Sequence, residues 1–180
     1  MNEKKIGRSE MYSKWTKGKL SDICNVTMGQ SPKSEHYNSR GEGYKFLQGN
    51  RTFGDKYPIF DTFTTKLTKY AEADDVIMSV RAPVGDVNIT TDECCLGRGV
   101  CGLRHIENQQ EFLYYLICYY SAALVNMESG TVFGSVNKND ISNLEILIPP
   151  THEQRFIGET LKIIDDKIEI NKKINHHLAA

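Results

Sequence analysis

The sequence lacks any long apolar run. Its apolar stretches fall short of the roughly 20 residues that a bilayer-spanning helix needs, and no apolar segment follows the charged N-terminus as a signal peptide would require. Cysteines are also few: five among 180 residues, an odd number in two loose groups. This number is unlike the disulfide framework of a small secreted domain and fits a reducing compartment. The sequence therefore indicates a soluble cytoplasmic protein without a membrane segment.

Common catalytic motifs are missing as well. We find no phosphate loop ending in Gly-Lys-Ser/Thr, no dinucleotide-binding GxGxxG after a strand, no nucleophile elbow and no HExxH zinc motif. The run Asp165-Asp166-Lys167 has the residue types of a nuclease site, but it falls in a predicted helix and has no paired acidic strand. We interpret it as the solvated face of that helix.

The cysteines do not have the spacing of a metal site. Cys94 and Cys95 are adjacent, so in a strand their thiols point to opposite faces, whereas structural zinc sites take paired ligands from a CxxC turn. Cys101 and His105 complete no such motif. We therefore predict that these thiols, and Cys118 in a predicted aromatic helix, are small apolar core residues and that the chain binds no metal.

Charge is distributed unevenly, although the net charge is only -1. Residues 1–70 hold 13 Lys and Arg against 7 Asp and Glu, whereas residues 71–150 hold 4 against 11. Such an asymmetry allows one surface to bind a polyanion while another binds protein. The alternative is that folding intermixes the two halves into an ordinary surface, so charge alone does not establish nucleic-acid binding.

The order of strand-like and helix-like segments predicts an α+β fold. Strand-like segments occur between Trp15 and His105, including the aromatic and threonine-rich segment 56–70, and a helical pattern covers residues 111–124. A glycine and serine stretch then precedes a last strand. Because the strands come in a run without regular βα alternation, the sheet is predicted to be mixed and largely antiparallel. We divide the chain into a flexible leader at 1–13, a domain at 14–150 and a helix at 151–180.

The C-terminal helix is predicted to need a partner. Thr151 is a predicted N-cap, and Gln154 follows it with the spacing of a capping box. One narrow seam, interrupted by two asparagines, consists of Ile157, Leu161, Ile164, Ile168, Asn171, Asn175 and Leu178. Further apolar residues lie off this seam, at Phe156, Ile163, Ile170 and Ile174. We expect one side to lie against the domain and the other to bind a partner, with the asparagines fixing register and orientation. The alternative is an ordinary last core helix.

Glycine-punctuated loops carry residue types that bind nucleic acids. Arg makes two parallel hydrogen bonds to guanine, Gln and Asn pair with adenine, and Lys and Ser contact phosphate oxygens. The candidate DNA-binding residues are Gln30, Ser31, Lys33, Gln48, Asn50, Arg51, Lys66, Arg81, Arg98 and Lys138. The neighbouring glycines suit loops that approach a ligand closely. Such residues also populate ordinary surfaces, and Arg81 and Arg98 are alternatively internal ion-pair partners of Asp86 or Asp92.

Six phrases of the sequence stand in a recognisable order. They are MGQSPKSEHYN, FLQGNRTFGDKYP, SVRAPVGDVNI, CCLGRGV, SGTVFGSVNKNDISNLEILIPPTHEQR and IDDKIEINKKIN. Together they resemble the DNA-specificity subunit of type I restriction-modification systems, over nearly the whole chain from Trp15 to Leu178. The pairing of LEILIPPTHEQR with a heptad helix is the strongest of these resemblances.

The resemblance implies a DNA target-recognition domain at residues 14–150, followed by a coiled-coil spacer helix. A full subunit of that family carries two such domains, each reading half of a split DNA sequence, joined by two helices packed as an antiparallel coiled coil. This chain has one domain and one helix, so it resembles half a specificity subunit. A natural half-length form, an N-terminal fragment of a longer gene and a truncated form are all open.

The resemblance also implies that the chain is not an enzyme. In that family the S-adenosylmethionine site and the adenine N6 chemistry belong to methyltransferase subunits, and motor-nuclease (restriction) subunits join the complex. This chain agrees, because it lacks the Asn/Asp-Pro-Pro-Tyr/Phe motif that holds a flipped adenine. The implied partners are double-stranded DNA, methyltransferase subunits, the restriction subunit through the complex, and a second copy of this chain. The alternatives are a stand-alone methyltransferase or nuclease fragment, or an interaction protein that keeps the fold without binding DNA.

A homodimer predicts a particular DNA target. If two copies pair antiparallel, the seam from Ile157 to Leu178 spans about 32 Å at about 1.5 Å per residue. That length is close to one turn of DNA, about 34 Å. The target is then expected to be palindromic and interrupted.

Overall fold

The structure is a computed structural model that describes residues 14–128 and 135–178, with side chains at 14–125 and 135–177. The predicted leader at 1–13 lies outside these ranges. The strands are β1 (Thr16–Lys19), β2 (Cys24–Met28), β3 (Tyr37–Asn38), β4 (Tyr44–Leu47), β5 (Phe63–Thr64), β6 (Tyr70–Ala71), β7 (Val76–Ser79), β8 (Val87–Ile89), β9 (Cys94–Leu96), β10 (Val100–His105) and β11 (Glu145–Ile148). The α-helices are α1 (Gln110–Glu128), α2 (Lys138–Ser142) and α3 (Thr151–Leu178), and 3-10 turns cover Leu20–Asp22, Ser34–His36 and Asn50–Thr52.

The strands form three sheets. A four-stranded sheet has the order β2-β10-β7-β8, a five-stranded sheet has the order β3-β5-β4-β9-β6, and β1 pairs with β11. The described strand pairs are antiparallel except for β4 with β9, which run parallel. The predicted α+β class with a mixed, largely antiparallel sheet is therefore confirmed.

Strand β7 connects two hydrophobic cores. Its four residues are all buried, and successive side chains point to opposite faces. Val76 and Met78 enter a core that includes Ile117 of α1, whereas Ile77 packs with Leu96 in a second core. Both faces of β7 are thus covered, which explains why its sequence is a continuous apolar run.

The strand interpretation of the segment 56–70 is largely wrong, and one short helix was not predicted. The segment 56–70 forms only the two-residue strands β5 and β6, because β-branched and aromatic content reflects a surface to pack on more than an intrinsic strand preference. The glycine and serine stretch contains the short helix α2. Its N-cap is Asn137, whose side-chain carbonyl accepts hydrogen bonds from the backbone N–H groups of Asn139 and Asp140 at 2.8 and 3.2 Å.

Helix α3 is present as predicted, but its first turn has no capping box. Thr151 Oγ1 donates to Glu107 Oε2 at 2.7 Å, and Gln154 Nε2 donates to the carbonyl of Pro149 at 2.8 Å. The carbonyl of Pro150 accepts the backbone N–H of Gln154 at 3.0 Å. The start of α3 is therefore held by the preceding prolines and by the turn before α1.

The side of α3 that lies against the domain is mainly small and polar. Gln154 and Gly158 are buried, and Leu161 and Asp165 are partly buried. A Cβ atom at Gly158 would lie 2.7 Å from the backbone nitrogen of Phe112, so the glycine permits a close crossing of α3 and α1.

The predicted seam of α3 is divided between two environments. Ile157 and Leu161 line a groove with α1, whereas Ile164 and Ile168 are each 48% exposed. Exposed apolar residues off the seam are Phe156, Ile163, Ile170 and Ile174. The expectation that one apolar side lies against the domain is therefore wrong for these residues. None of the described helices has an apolar stretch long enough to cross a bilayer.

Candidate nucleic-acid interface

Three loops meet at one end of the sheets. The first follows β4 and holds Gln48, the second follows β7 and holds Arg81, and the third follows β9 and holds Arg98. Since β4 and β9 are parallel neighbours, both end at the same edge. Backbone hydrogen bonds join the loops: the N–H of Gly99 donates to the carbonyl of Gln48 at 3.0 Å, and the N–H of Val80 donates to that of Gly99 at 2.9 Å.

The loops enclose a cleft of about 270 Å³. We call it the arginine cleft; its lining residues are Gln48, Gly49, Asn50, Arg81, Ala82, Arg98 and Gly99. Four predicted DNA-binding residues from separate stretches of sequence therefore line one site. The position of these residues supports the prediction of DNA contact, which itself stays a prediction.

The glycines of this region differ in their roles. A Cβ atom at Gly97 would lie 2.7 Å from the Cα of Gln48, so this glycine lets two loops approach each other. At Gly49, which lines the arginine cleft, an added Cβ would meet nothing within 4 Å. The expectation that neighbouring glycines serve close approach to a ligand thus fits the surroundings of Gly49 and not those of Gly97.

Arg81 and Arg98 give the cleft its positive charge. Both are exposed, and within the part of the chain that the structure describes neither guanidinium has a carboxylate within 4.0 Å. The carboxylates suggested as their partners are engaged elsewhere. Asp86 accepts a hydrogen bond from Asn50 Nδ2 at 2.6 Å, and Asp92 pairs with a lysine of β4 at 2.6 Å. The internal ion-pair alternative is therefore wrong, and both guanidinium groups are available to an anion or a base edge.

A neighbouring cleft of about 300 Å³ shares Gln48 and Gly49 and contains Arg51. Arg51 donates two hydrogen bonds to Asp61, at 2.8 and 2.7 Å. Hydrogen bonds from Arg51 and Thr62 lower the pKa of Asp61 to about 2, so the carboxylate stays charged near neutral pH. Two of the five N–H donors of Arg51 are therefore used by Asp61, and the remaining three are open to another acceptor.

The loop after β2 borders the arginine cleft. The backbone N–H of Arg98 donates to Ser31 Oγ at 3.0 Å, and the N–H of Gln30 donates to a carbonyl of β9 at 2.8 Å. The hydroxyl of Thr68 also hydrogen-bonds the carbonyl of Gln30. This bond brings in the loop between β5 and β6, which carries Lys66. Ser31 thus already has a structural role as an acceptor.

The three predicted phosphate-binding lysines lie outside the lining of the arginine cleft. Lys33 precedes the turn Ser34–His36, Lys66 lies between β5 and β6, and Lys138 begins α2. All three are exposed, and among the described residues none of them has a carboxylate within 4.0 Å. They are free to contact an extended polyanion around the cleft.

The cysteine predictions have mixed outcomes. Cys94 and Cys101 are buried as expected, but Cys118 is exposed, so its assignment to the core is wrong. Burial raises the pKa of Cys94 to about 12, which keeps the thiol protonated. Across the described ranges, no group of three or more His, Cys, Asp or Glu side chains is arranged to hold a metal ion.

Sequence reasoning missed several polar residues of the second cleft. Thr52, Asp61 and Thr62 line it beside Arg51. Asp61 and Thr62 belong to the segment that was predicted to be strand. An Asp-Thr pair among aromatic residues without a period of two was the available signal for a functional loop.

The chain belongs to the family described as type I restriction modification DNA specificity domain, which matches residues 12–180. The putative type I restriction enzyme MjaX specificity subunit of Methanocaldococcus jannaschii is 41% identical over 150 residues, which are 82% of this chain and 35% of that protein. The type I restriction enzyme EcoBI specificity subunit of Escherichia coli is 22% identical over 172 residues, which are 92% of this chain and 35% of that protein.

A solved structure has the same fold. The crystal structure of the HsdS subunit from Thermoanaerobacter tengcongensis is 34% identical, with a TM-score of 0.76 over 90% of this chain and 40% of that one. The chain thus spans 35% to 40% of the length of these relatives.

Proposed function

We propose that this chain is a non-catalytic DNA-recognition module that reads one half of a split sequence and directs a type I restriction-modification methyltransferase and endonuclease complex to it. The arginine cleft carries this proposal. Arg81 and Arg98, which pair with no carboxylate among the described side chains, offer planar guanidinium groups that suit guanine or phosphate, and Gln48 lies beside them with an exposed amide that suits adenine.

The surface around the cleft supports contact with a duplex. Lys33, Lys66 and Lys138 are exposed on three different segments and provide the point charges that hold phosphates. In this arrangement the cleft reads base edges while the surrounding lysines fix the position of the backbone.

The exposed apolar residues of α3 support helical partners. Ile164 and Ile168 lie on one stripe and Ile163 and Ile170 on another, with the centres of the stripes roughly 130° apart around a helix with about 3.6 residues per turn. A helix with two such stripes packs between two neighbours. We propose that the first stripe binds a second copy of this chain and that the second binds a methyltransferase subunit.

Under this proposal the methyltransferase subunit supplies the chemistry. It holds S-adenosylmethionine and the adenine pocket, and the restriction subunit joins through it. The chain itself contributes recognition and the separation between half-sites.

The experiment is coexpression of the chain with a type I methyltransferase subunit from the same genome, followed by mapping of methylated adenines. We expect methylation within a split motif that disappears when this chain is omitted. Methylation by the purified chain alone would favour the enzyme alternative. A stable complex with the methyltransferase that neither binds nor modifies DNA would favour an interaction protein.

A further inference from the structure

One loop reaches both the arginine cleft and helix α3. It leaves the cleft at Asn50 and turns back between Phe53 and Pro58, which form an antiparallel bridge. We call residues 53–58 the brace loop. It begins three residues after Asn50 of the arginine cleft, and its tip meets the helix, so a few residues of chain join the two sites.

The brace loop is fixed to the domain by a buried amide. Asn88 of β8 is 1% exposed. Its Oδ1 accepts the backbone N–H of Gly54 at 3.1 Å, and its Nδ2 donates to the carbonyl of Gly54 at 3.0 Å. The N–H of Ile89 also donates to the carbonyl of Lys56 at 2.8 Å. Because these bonds tie the brace loop to the sheet that contains β8, the loop has a fixed position relative to the domain.

Lys56 carries the loop's contact with both long helices. Only 11% of its side chain is exposed, and Nζ lies 3.2 Å from Glu111 Oε2 of α1 and 3.6 Å from Asp165 Oδ2 of α3. Nζ also donates to the hydroxyl of Tyr115 at 3.1 Å and lies 5.0 Å from the ring centre of Tyr114. The Tyr115 hydroxyl in turn donates to Asp165 at 2.6 Å. The ammonium group of Lys56 therefore joins the brace loop, α1 and α3.

Three contacts hold α3 at intervals of seven residues. Gly158 crosses α1 closely, Asp165 meets Lys56, and Lys172 Nζ lies 2.8 Å from Asp55 Oδ2 of the brace loop. The contacts extend about 21 Å along the helix at about 1.5 Å per residue. The brace loop supplies the contacts through Lys56 and Lys172, in addition to those that α1 makes with α3 at Gly158 and, through Tyr115, at Asp165.

The two brace contacts differ in strength for a physical reason. Lys172 and Asp55 are exposed, where solvent screening leaves an ion pair weak. Lys56 is largely desolvated between two carboxylates, so its removal takes away the cation that they share. Asp165 then keeps the Tyr115 hydroxyl, and Glu111 keeps Lys162, whose Nζ lies 3.9 Å from Glu111 Oε1. Of the two brace contacts, the one through Lys56 therefore has the greater influence on the direction of the middle of α3.

We propose that Lys56 is a positioning residue that sets the angle of α3 to the arginine cleft and thereby the accepted separation of the two half-sites. This inference rests on the proposed function, in which α3 connects two DNA-reading domains. Each base pair added between half-sites moves the second by about 3.4 Å and rotates it by about 35°, so small changes in the helix angle alter which spacing fits.

The test uses the methyltransferase complex and duplexes that carry the mapped motif at its natural spacing and with one or two base pairs added or removed. We expect the wild-type complex to methylate the natural spacing selectively. Lys56→Met should reduce that selectivity by about tenfold or more, which is about 1.4 kcal/mol, and Lys56→Arg should restore part of it.

A matched control is Lys45→Met. Lys45 also forms an ion pair, at 2.6 Å to Asp92, and also lies over an aromatic ring, 4.9 Å from the centre of Phe60. It belongs to β4 and makes none of the contacts that hold α3. We expect this variant to retain the wild-type spacing selectivity.

The outcomes separate the two proposals. If the wild-type complex modifies no split motif, the proposed function fails. If wild type is selective and Lys56→Met is equally selective, or loses methylation uniformly at all spacings, the positioning role is overturned while the proposed function stands. If Lys56→Met does not fold, Tyr115→Phe replaces it, because this change removes only the hydroxyl shared by Lys56 and Asp165; its spacing selectivity is then judged in the same way.

Discussion

At the scale of single residues, arginines divide into those that have a protein partner and those that do not. Arg104 belongs to β10 and its Nε is 2.7 Å from Oδ1 of Asp75, a residue that is 6% exposed. Arg81 and Arg98 have no such partner among the described residues. The first kind contributes to stability, and the second is available for binding.

We therefore expect Arg81→Ala or Arg98→Ala to weaken binding of the methyltransferase complex to its target by about 1–3 kcal/mol, as for loss of a bidentate base contact, with little change in melting temperature. Arg104→Ala is the opposite control: it leaves Asp75 unpaired and should lower the free energy of unfolding by about 2–4 kcal/mol. Titration with duplex DNA and thermal denaturation measure the two effects. A large loss of stability in Arg81→Ala would assign that residue to the scaffold.

Buried His105 makes stability depend on pH. Its Nδ1 accepts the backbone N–H of Glu107 at 3.0 Å, so Nε2 carries the proton of the neutral ring. Burial lowers the pKa of His105, and this effect outweighs the upward effects of Gln154 and Glu107. The unfolded chain therefore binds a proton at a higher pH, about 6.5, than the folded chain does.

Because of this difference in pKa, the folded state loses stability as the pH falls. The stabilisation from neutral His105 is fully present above pH about 6.5 and decreases as pH falls toward its lower folded pKa. His105→Gln should flatten the fall in melting temperature between about pH 7.5 and 5.5, since glutamine does not titrate. An unchanged slope would show that other groups control the acid sensitivity.

The arginines of the two clefts show how far a sequence predicts a site. Arg51 and Arg81 both lie near glycines and were equal candidates, but Asp61 pairs with only one of them. Residue type predicted the chemistry of the cleft. Charge pairing depends on which segments meet in space, and a single sequence does not contain that information.

At the scale of elements, α3 has one side fixed by the domain and another left exposed. Ile164→Asp combined with Ile168→Asp places charges where two helices are proposed to meet, and both positions are 48% exposed in the monomer. We expect loss of self-association with the domain still folded, because neither side chain belongs to its core. Light scattering and circular dichroism measure mass and fold. As a control, Ile163→Asp with Ile170→Asp should keep the dimer and instead weaken binding of the methyltransferase subunit; an unchanged mass in the first variant would contradict the dimer seam.

The crossing of α1 and α3 depends on Gly158. Gly158→Ala would place a Cβ 2.7 Å from the backbone nitrogen of Phe112, and such overpacking costs about 1–3 kcal/mol. This exceeds the gain of about 1 kcal/mol in helix propensity, so thermal denaturation should show a net loss of stability. Gly49→Ala is the matched control, because its added methyl meets nothing within 4 Å. A stabilised Gly158→Ala variant would mean that the helices separate at little cost.

The elements also differ in how well the sequence predicts them. The periodicity of α3 predicted its extent, because a period over many residues is a strong local signal; its need for a partner stays a prediction. It did not predict which side meets the domain. Gly158 and Asp165 are on that side, and the partner of Asp165 is Lys56, a residue more than 100 positions away in sequence.

At the scale of the whole molecule, the arginine cleft is built from segments that are distant in sequence. Gln48, Arg81 and Arg98 come together only because β4, β7 and β9 end at one side of the domain. The uneven charge noted in the sequence is partly offset where basic residues of the first half pair with acidic residues of the second, as Lys45 does with Asp92 and Lys56 with Glu111. Net charge is therefore a poor guide to this surface, and the arginines and lysines without a carboxylate partner among the described residues are a better one.

The symmetry of a homodimer determines the form of its DNA target. A two-fold axis through paired α3 helices relates two identical arginine clefts, so both must read the same bases on opposite strands. With 28 residues, α3 is about 42 Å long, enough to separate the half-site centres by about one helical turn, 10–10.5 base pairs. We expect mapped adenine methylation to reveal an interrupted inverted repeat with that separation. An asymmetric motif would mean that a different recognition domain occupies the second half-site, and α3 would then pair with a helix from that domain instead of with its own copy.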